Sequence, residues 1–314
     1  MSALRDWRCA LNASHGEKEM IKKVFYSKKA APYVFILPFV LTVALFWIGP
    51  IVNGVLLSFQ NVLQDEWTGL HNYKRLFTDA IFYKAVLNSV KYMIGTLILL
   101  IPFPLLFATL LNSKLMKHPN VYKSIYFIPA LTSVVVAGTV FRLMFGESDQ
   151  ALMNQVIGFF GHAPIRWLRR GDTAYFALLL LCCWRWTGVN IMYFLAGIQA
   201  IPTDLYEAAE IDGASKWQQF KSITVPLVKP TTVYVLTISI YAGLSMFLES
   251  FMLWKGNNSP NNIGLTIVGY LYRQGIEKRN MGYACAVGIV LLVMVMIVNL
   301  VQLKLTGTFD KEDE

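Results

Sequence analysis

Charged, amide and aromatic side chains lie inside two long apolar runs of this sequence, at residues 173–199 and 230–254. Polar side chains are costly in such runs, so those that occur there are candidates for binding or conduction. The group comprises Trp184, Arg185, Trp186 and Asn190 in the first run, and Tyr241, Ser245 and Glu249 in the second. Two structural explanations compete: Arg185 and Glu249 have opposite charges and can form an ion pair, and Trp184 can be an anchoring or packing residue.

A polar segment, YEAAEIDGASKWQQFKSITVPL at residues 206–227, separates these two runs. Its first half reads as a short helix. Asp204 followed by Glu207 resembles a capping box, and the helix is predicted to end near Asp212. Gly213 then supplies a residue that adopts positive φ at low cost, as a helix terminator should.

The second half of the segment reads as another short helix. Ser215 with Gln218 makes a capping box, and Pro226 is expected to break the helix. Each helix carries an apolar stripe, comprising Leu205, Ala208 and Ala209 on the first and Trp217, Phe220 and Ile223 on the second. Helices this short must dock their stripes, and the pattern leaves open whether they dock on a partner or on the chain's own helices.

The elements that must position these residues are transmembrane helices. The chain of 314 residues is 55% hydrophobic and only 15% charged, outside the balance of a soluble domain. A spanning helix needs roughly 20 mostly apolar residues. Six runs meet that test, at 33–55, 84–111, 124–146, 173–199, 230–254 and 281–305. The predicted fold class is an all-α polytopic membrane protein.

The first run follows a basic leader and has no small-residue cleavage pattern, so it is predicted to be a retained helix. Lys and Arg number about 15 on the side of the N terminus and about 10 on the other, which favours cytoplasmic N and C termini. The predicted division is a cytoplasmic leader at 1–32, a transmembrane domain at 33–306 with the polar loop at 203–226, and a cytoplasmic tail at 307–314.

Catalytic motifs are missing from this sequence. It has no GxxxxGK[ST] loop, no GxGxxG after a strand, no HExxH and no GxSxG. The four cysteines and four histidines lack ligand spacing, so no metal site and no catalytic residue are predicted. The net charge of +9 is explained by cations that face anionic lipid, without nucleic acid. A transport pathway, a channel subunit or a membrane anchor remains.

The string EAAEIDGASKWQQFKSITVP resembles the EAA loop of permease subunits of bacterial ATP-binding cassette importers. The matching positions are Glu207, Ala208, Ala209, Asp212, Gly213, Ala214, Phe220, Ile223 and Pro226. The resemblance implies the type I importer permease fold, in which this loop is a coupling helix that inserts into an ATPase subunit. Its ATPase-coupling residues would be Glu207, Ala208, Ala209, Asp212, Gly213, Ala214 and Phe220.

Further stretches resemble the carbohydrate-uptake, maltose-type branch of that family. They are FIPALTSVVVAGTVFRLMF at 127–145, WRWTGVNIMYFLAGIQAIP at 184–202 and NNSPNNIGLTIVGYLY at 257–272. The stretches YSKKAAPYVF, YVLTISIYAG and LTIVGYLYRQG are most similar to arabino-oligosaccharide permease subunits of Gram-positive bacteria. The resemblance covers nearly the whole chain from about Tyr26. Residues 1–25 depart from it.

The resemblance implies a transport subunit rather than an enzyme, and a path for an oligosaccharide across the cell membrane. Arg185, Trp186, Tyr241 and Ser245 fall near positions that line the sugar site in maltose-type permeases. The alignment is offset by one residue around Pro226–Pro230. The implied partners are a second homologous permease, an ATPase dimer at the coupling loop that holds ATP and Mg, an extracellular sugar-binding lipoprotein and membrane lipid. This chain itself would need no cofactor.

Alternatives remain at this stage. A permease for glycerol phosphate should have more cations in its path than Arg185, whereas a different sugar is as compatible with the sequence. A passive channel or membrane scaffold would need neither ATP nor Glu207 and Gly213.

Overall fold

The computed structural model of the protein describes residues 27–29, 31–62, 66–113 and 116–307. Most of the predicted leader and of the tail lies outside these residues. The chain divides into two compact units, at residues 1–57 and 58–314. The first unit contains one nearly continuous helical run, formed by α1 (Ala31–Val43), a π-helical turn (Ala44–Ile48) and α2 (Gly49–Ser58). Ala31–Ser58 is 28 residues long and strongly apolar, as the first predicted span requires.

The second unit begins with a small polar substructure ahead of its first long helix. Strands β1 (Gln60–Asn61) and β2 (Glu66–Trp67) pair antiparallel, and α3 (His71–Leu76) follows them. Asp79 then caps the long helix α4 (Ala80–Leu100), which continues into α5 (Pro102–Leu111). The latter two form one apolar run of 32 residues, in agreement with the second predicted span.

The predicted third span is bent rather than straight. It consists of α6 (Pro119–Leu131) and α7 (Val134–Met144), whose axes meet at 93°. Pro129 lies in the last turn of α6, where it removes a backbone donor, and Thr132 adopts an extended conformation. The short helix α8 (Leu152–Phe159) follows, and α9 (Gly171–Gln199) forms the fourth predicted span as a single helix.

The predicted fifth span is also interrupted. The segment at 203–227, called the coupling segment after its predicted role, contains α10 (Thr203–Ile211), α11 (Lys216–Gln219), a π-helical turn and α12 (Val225–Leu227). Helix α13 (Lys229–Leu244) follows it at a 66° bend. Residues 245–247 are not helical, and α14 (Leu248–Leu253) completes the run. After α15 (Ile267–Tyr272), α16 (Met281–Leu305) forms the sixth predicted span.

Among the described residues, four helices are long and apolar enough to cross a membrane, and six spans result if each bent pair counts as one. The predicted six spans are the upper end of this range, and the third and fifth are not single helices. Proline and short polar residues at the bends are the physical reason, because they release backbone groups from the helical hydrogen-bond ladder.

Two buried clusters hold the helices at their two ends. One cluster joins α7, α9 and α14 through Phe141, Leu181 and Leu253, together with Trp167. The other joins α5, α9 and α13 through Leu105, Ile191 and Val235. Because α9 contributes to both, it is the central helix of the second unit.

Gly188 shows how closely the helices approach. A Cβ placed there would overlap the carbonyl oxygen of Tyr126 in α6. The backbones of α6 and α9 are therefore in direct contact, which is the packing mode that small residues allow in membranes. Gly138 of α7 likewise packs closely against the side chain of Met252.

Candidate functional site

The first helix of the coupling segment, α10, begins two residues earlier than the sequence predicts. Pro202 is its N-cap and makes no side-chain cap, so the predicted box between Asp204 and Glu207 does not form. Asp204 lies instead in the first turn, where its charge is favourable to the helix dipole. The helix end is as predicted. Gly213 has φ +77°, and the N–H of Ala214 donates to the carbonyl of Ala209 at 2.8 Å.

The second helix of the segment begins with the predicted capping box. The Ser215 hydroxyl accepts from the N–H of Gln218, and the Gln218 side chain accepts from the N–H of Ser215 at 2.7 Å. The helix does not stop before Pro226. After four residues it widens into the π-helical turn Phe220–Thr224 and ends at Leu227. Pro226 lies in α12, directly after the π-helical turn.

The two helices are fastened to each other and to the membrane domain. The hydroxyls of Tyr206 and Thr224 lie 2.8 Å apart, and Lys216 forms an ion pair with Glu210. Tyr206, Phe220 and Ile223 pack against the cluster formed by α5, α9 and α13. One part of the predicted stripes therefore packs on the protein's own helices.

Another part of the coupling segment remains exposed. Ile211 is 87% exposed and Trp217 is 66% exposed, although Trp217 stacks on Phe220 with ring centroids 5.3 Å apart. The predicted coupling residues are distributed accordingly: Glu207, Ala208, Asp212 and Gly213 are exposed, whereas Ala209, Ala214 and Phe220 are half-buried. Large apolar side chains at the surface beside carboxylates are typical of an interaction site.

Inside the membrane domain, Arg185 of α9 and Glu249 of α14 form a buried ion pair. Nη1 of Arg185 donates to Oε1 of Glu249 at 2.8 Å, and each residue is 9% exposed. The break at 245–247 makes this contact possible, because it starts a new helix whose first turn carries Glu249. Nε of Arg185 is buried and has no hydrogen-bond partner among the described residues. The pair thus retains an unused donor.

One aromatic side chain contacts this pair, and others lie nearby in sequence. The guanidinium of Arg185 lies 5.3 Å from the ring centroid of Trp186, within the range of a cation–π contact. Trp184 packs on Phe141 with centroids 5.5 Å apart. Trp184, Trp186 and Tyr241 are partly exposed, and Ser245 is half-buried at the helix break.

Asn190 has a structural task. Its Nδ2 donates to the carbonyl oxygen of Leu100 at 2.7 Å. In a regular helix this carbonyl would accept from residue 104, but Pro104 has no N–H to donate. Asn190 replaces the missing donor and holds α4 and α5 against α9. The predicted path residues therefore divide, since Arg185, Trp186 and Glu249 lie together and Asn190 is committed to the backbone.

The sequence reasoning missed a polar cluster at the other end of the second unit. The Asp79 carboxylate accepts from the hydroxyl of Tyr270 at 2.5 Å and from the N–H of Ile81 at 2.8 Å. Burial acts to raise the pKa of Asp79, but these hydrogen bonds outweigh it and hold the pKa below its usual value of 3.8. The sequence did contain a signal for this cluster, because Asp79 is a favoured N-cap residue just before a predicted span.

Asn154 of α8 was also missed. Its Oδ1 accepts from Nε1 of Trp167 at 2.7 Å and from the N–H of Ile165 at 3.0 Å. Its Nδ2 donates to the carbonyl oxygens of Gly146, Ser148 and Ile165. One buried amide therefore organises the connection between α7 and α9.

Residues 80–311 match a family described as "Binding-protein-dependent transport system inner membrane component". The chain belongs to this family of transport permeases. It is 52% identical, over 93% of both chains, to the "Arabinooligosaccharides transport system permease protein AraP" of Bacillus subtilis (strain 168). A protein of the same name from Halalkalibacterium halodurans is 47% identical over 92% of both chains. The permease is therefore a membrane transport component and not an enzyme.

More distant similarities extend across the same family. The permease is 29% identical to the "Trehalose/maltose transport system permease protein MalF" of Thermococcus litoralis, over 94% of this chain and 100% of the other. A solved bacterial transporter chain described as "involved in the import of the acidic polysaccharide alginate" aligns with a TM-score of 0.81 at 22% identity. It covers 93% of this chain and 100% of that one. The predicted all-α importer permease fold is thereby confirmed.

Proposed function

We propose that this permease conducts an oligosaccharide, of the arabino-oligosaccharide class, into the cell as one subunit of an ATP-driven importer. The observation that carries the proposal is the 52% identity to a B. subtilis protein named for arabinooligosaccharide transport, at nearly full length in both chains. The aromatic and guanidinium groups around Arg185 and Trp186 are suited to such a cargo, since they offer an apolar face and hydrogen-bond donors.

The coupling segment is the proposed docking site for the ATPase. Exposed Ile211 and Trp217 provide apolar area, and Glu207 provides an exposed charge on the same segment. Tyr206 and Phe220 connect this surface to the core helices, so a pull on α10 reaches α9 and α13. Nucleotide binding on the ATPase would then bias the permease between inward- and outward-facing states.

The proposed orientation places the coupling segment and both termini in the cytoplasm. The basic residues that flank the predicted spans favour it. The opposite end, with Asn154 and Asp79, would face the extracellular sugar-binding lipoprotein. A second homologous permease would complete the path, which accounts for the partly exposed Trp184, Trp186 and Tyr241. ATP and Mg would be held by the ATPase dimer.

The cargo and the coupling surface can be tested together. Cells that carry the complete importer would be supplied with radiolabelled arabinotriose or maltotriose, and ATP-dependent uptake and ATPase co-purification would be measured. Trp217→Ala and Glu207→Ala should lower both by about tenfold, because each removes part of the docking surface. Leu305→Ala is the matched control, since Leu305 is 82% exposed but lies at the end of α16, outside the coupling segment.

Either half of this proposal can fail separately. Uptake of maltotriose in preference to arabinotriose would contradict the cargo while leaving the coupling surface intact. Normal uptake by both coupling variants, or uptake that continues without ATP, would contradict the coupling surface and favour a passive channel.

The path is tested at the buried ion pair. Arg185→Met leaves Glu249 unpaired, so we expect a loss of about 3–5 kcal/mol in stability together with loss of uptake. In the double variant Arg185→Met/Glu249→Leu, stability should return because no buried charge remains, whereas uptake should stay low. Thermal unfolding in detergent and radiolabelled uptake measure the two effects. Recovery of uptake in the double variant would make the pair a structural element only.

A further inference from the structure

A polar cleft of about 450 Å³ lies in the second unit, away from the coupling segment and the ion pair. The hairpin, α3 and the residue that caps α16 form its walls. The lining side chains are Asn61, Thr68, His71, Asn72, Arg75 and Asn280. They are amides, a hydroxyl, an imidazole and a guanidinium, and among the described residues no carboxylate lines the cleft. Neither coupling nor the path uses them.

The walls of the cleft are held in place by the surrounding structure. Asn72 is buried, and its Nδ2 donates to the carbonyl oxygens of Ser58 at 2.9 Å and Gln60 at 3.0 Å. These bonds tie α3 to the hairpin. Asn280 caps α16 by accepting from the N–H of Tyr283 at 3.2 Å. The cleft is therefore built before any ligand arrives, which lowers the entropic cost of binding.

Arg75 is positioned by the Asp79 cluster. Its guanidinium carbon lies 4.4 Å from the ring centroid of Tyr283, whose hydroxyl lies 3.0 Å from that of Tyr270. Tyr270 in turn donates to Asp79. Arg75 thus packs on a fixed ring and also lines the cleft. A guanidinium held in this way loses less side-chain entropy when it donates to a ligand.

An exposed aromatic residue, Trp67, precedes a wall residue of the cleft but does not line the cleft itself. Trp67, next to the wall residue Thr68, is 63% exposed and stacks on Phe59 with centroids 5.8 Å apart and an angle of 16° between the rings. An exposed, supported indole offers an apolar face to a sugar ring, and the amides offer both donors and acceptors.

We propose that this cleft is a carbohydrate subsite, which takes one end of a neutral oligosaccharide before the sugar reaches the Arg185–Glu249 path. Its volume lies in the lower part of the range of small-molecule sites. The proposal rests on the proposed function for the identity of the cargo. It adds a second contact point at the end of the molecule where the cargo enters.

The test uses the complete importer in lipid nanodiscs, without the binding protein, and saturation-transfer NMR with arabinotriose and with maltotriose. His71→Ala and Arg75→Gln should each reduce the signal of the bound sugar at least about fivefold, the effect of one lost hydrogen bond. Lys74→Ala is the matched control, because Lys74 is an exposed cation of α3 that does not line the cleft. His71→Asn, which keeps a donor, should recover part of the signal.

Each outcome bears on the subsite separately from the cargo. The subsite is overturned if neither trisaccharide gives a bound-sugar signal. It is also overturned if both cleft variants unfold normally and give the same signal as the wild type, even if arabinotriose uptake is normal. A His71- and Arg75-dependent signal for maltotriose, without arabinotriose uptake, supports the subsite and overturns the cargo. In a parallel ATPase assay with the binding protein added, cleft variants that keep the sugar signal but lose stimulation of the ATPase would make the cleft a protein-docking site and overturn the subsite.

Discussion

The two ends of the second unit are held together by different forces. At the end with α8 and α3, buried polar side chains such as Asn154 and Asn72 bind several backbone groups each. At the coupling segment the contacts with the membrane domain are mainly apolar, through Phe220 and Ile223, and Trp217 stays exposed. Buried side chains that bind several backbone groups fix the local geometry closely, whereas apolar contacts are non-directional and allow packed helices to slide. The difference suits one end to receiving a ligand and the other to transmitting motion.

Of the differences between the two ends, the largest is expected at Asn154. Asn154→Leu leaves the N–H of Ile165 and the indole N–H of Trp167 without acceptors in a buried site, so we expect a loss of about 2–4 kcal/mol in unfolding free energy. Gln219→Leu at the coupling segment should cost about 1 kcal/mol, because the amide makes only long bonds there, to the carbonyl of Ala214 at 3.2 Å and from Lys216 at 3.3 Å. Thermal unfolding in detergent compares the two. Equal losses would remove the distinction between the ends.

Two matched glycines should have a smaller effect on stability. Their substitutions should cost similar stability, but only one of them should lower transport. Gly213 has φ +77° and Gly161 has φ +79°, and both face open space. Alanine at either position should therefore cost about 1–2 kcal/mol. Gly213→Ala should also lower ATP-dependent uptake about fivefold, because it reorients α10 against α11, whereas Gly161→Ala should not. Equal uptake by the two variants would show that strain in the coupling turn is irrelevant to transport.

The smallest effect is expected at Asp79 and depends on pH. Its pKa is lowered in the folded state, so the unfolded state binds more protons, and the carboxylate stabilises the fold fully above the usual value of 3.8. That contribution is lost as pH falls through the lower, folded-state pKa. The wild type should unfold at a higher temperature than Asp79→Asn near pH 7, and the gap should close as the pH falls below about 4. If the difference in unfolding temperature persisted in acid, it would have to come from packing and not from the charge of Asp79.

The sequence predicted the span positions well, because composition alone identifies a run such as 173–199 as membrane-spanning. It did not predict the bend of the third span, although Pro129 was visible, because prolines in membrane helices often leave the axis intact. The type of turn at Gly213 followed from local chemistry. The start of α10 did not, because helix boundaries depend on packing.

At the site, the sequence supplied the residues but not their partners. The opposite charges of Arg185 and Glu249 left pairing open, and only the break at 245–247 decides it. Asn190 was assigned to the path, yet its bond to Leu100 depends on a proline four residues further along another helix. Contacts of this kind connect positions far apart in the chain, where spacing carries no information. The roles of these residues in transport remain predictions.

The backbone contact at Gly188 has a consequence for how the permease can move. With no free volume between α6 and α9, the two helices have no room to pivot about each other there. We therefore expect them to behave as one rigid lever. The swing must then be absorbed at hinges where the backbone is not helical, at 132–133 and 245–247. The second hinge lies beside Glu249. The residues that bend when the path opens would therefore adjoin a charged residue of the path.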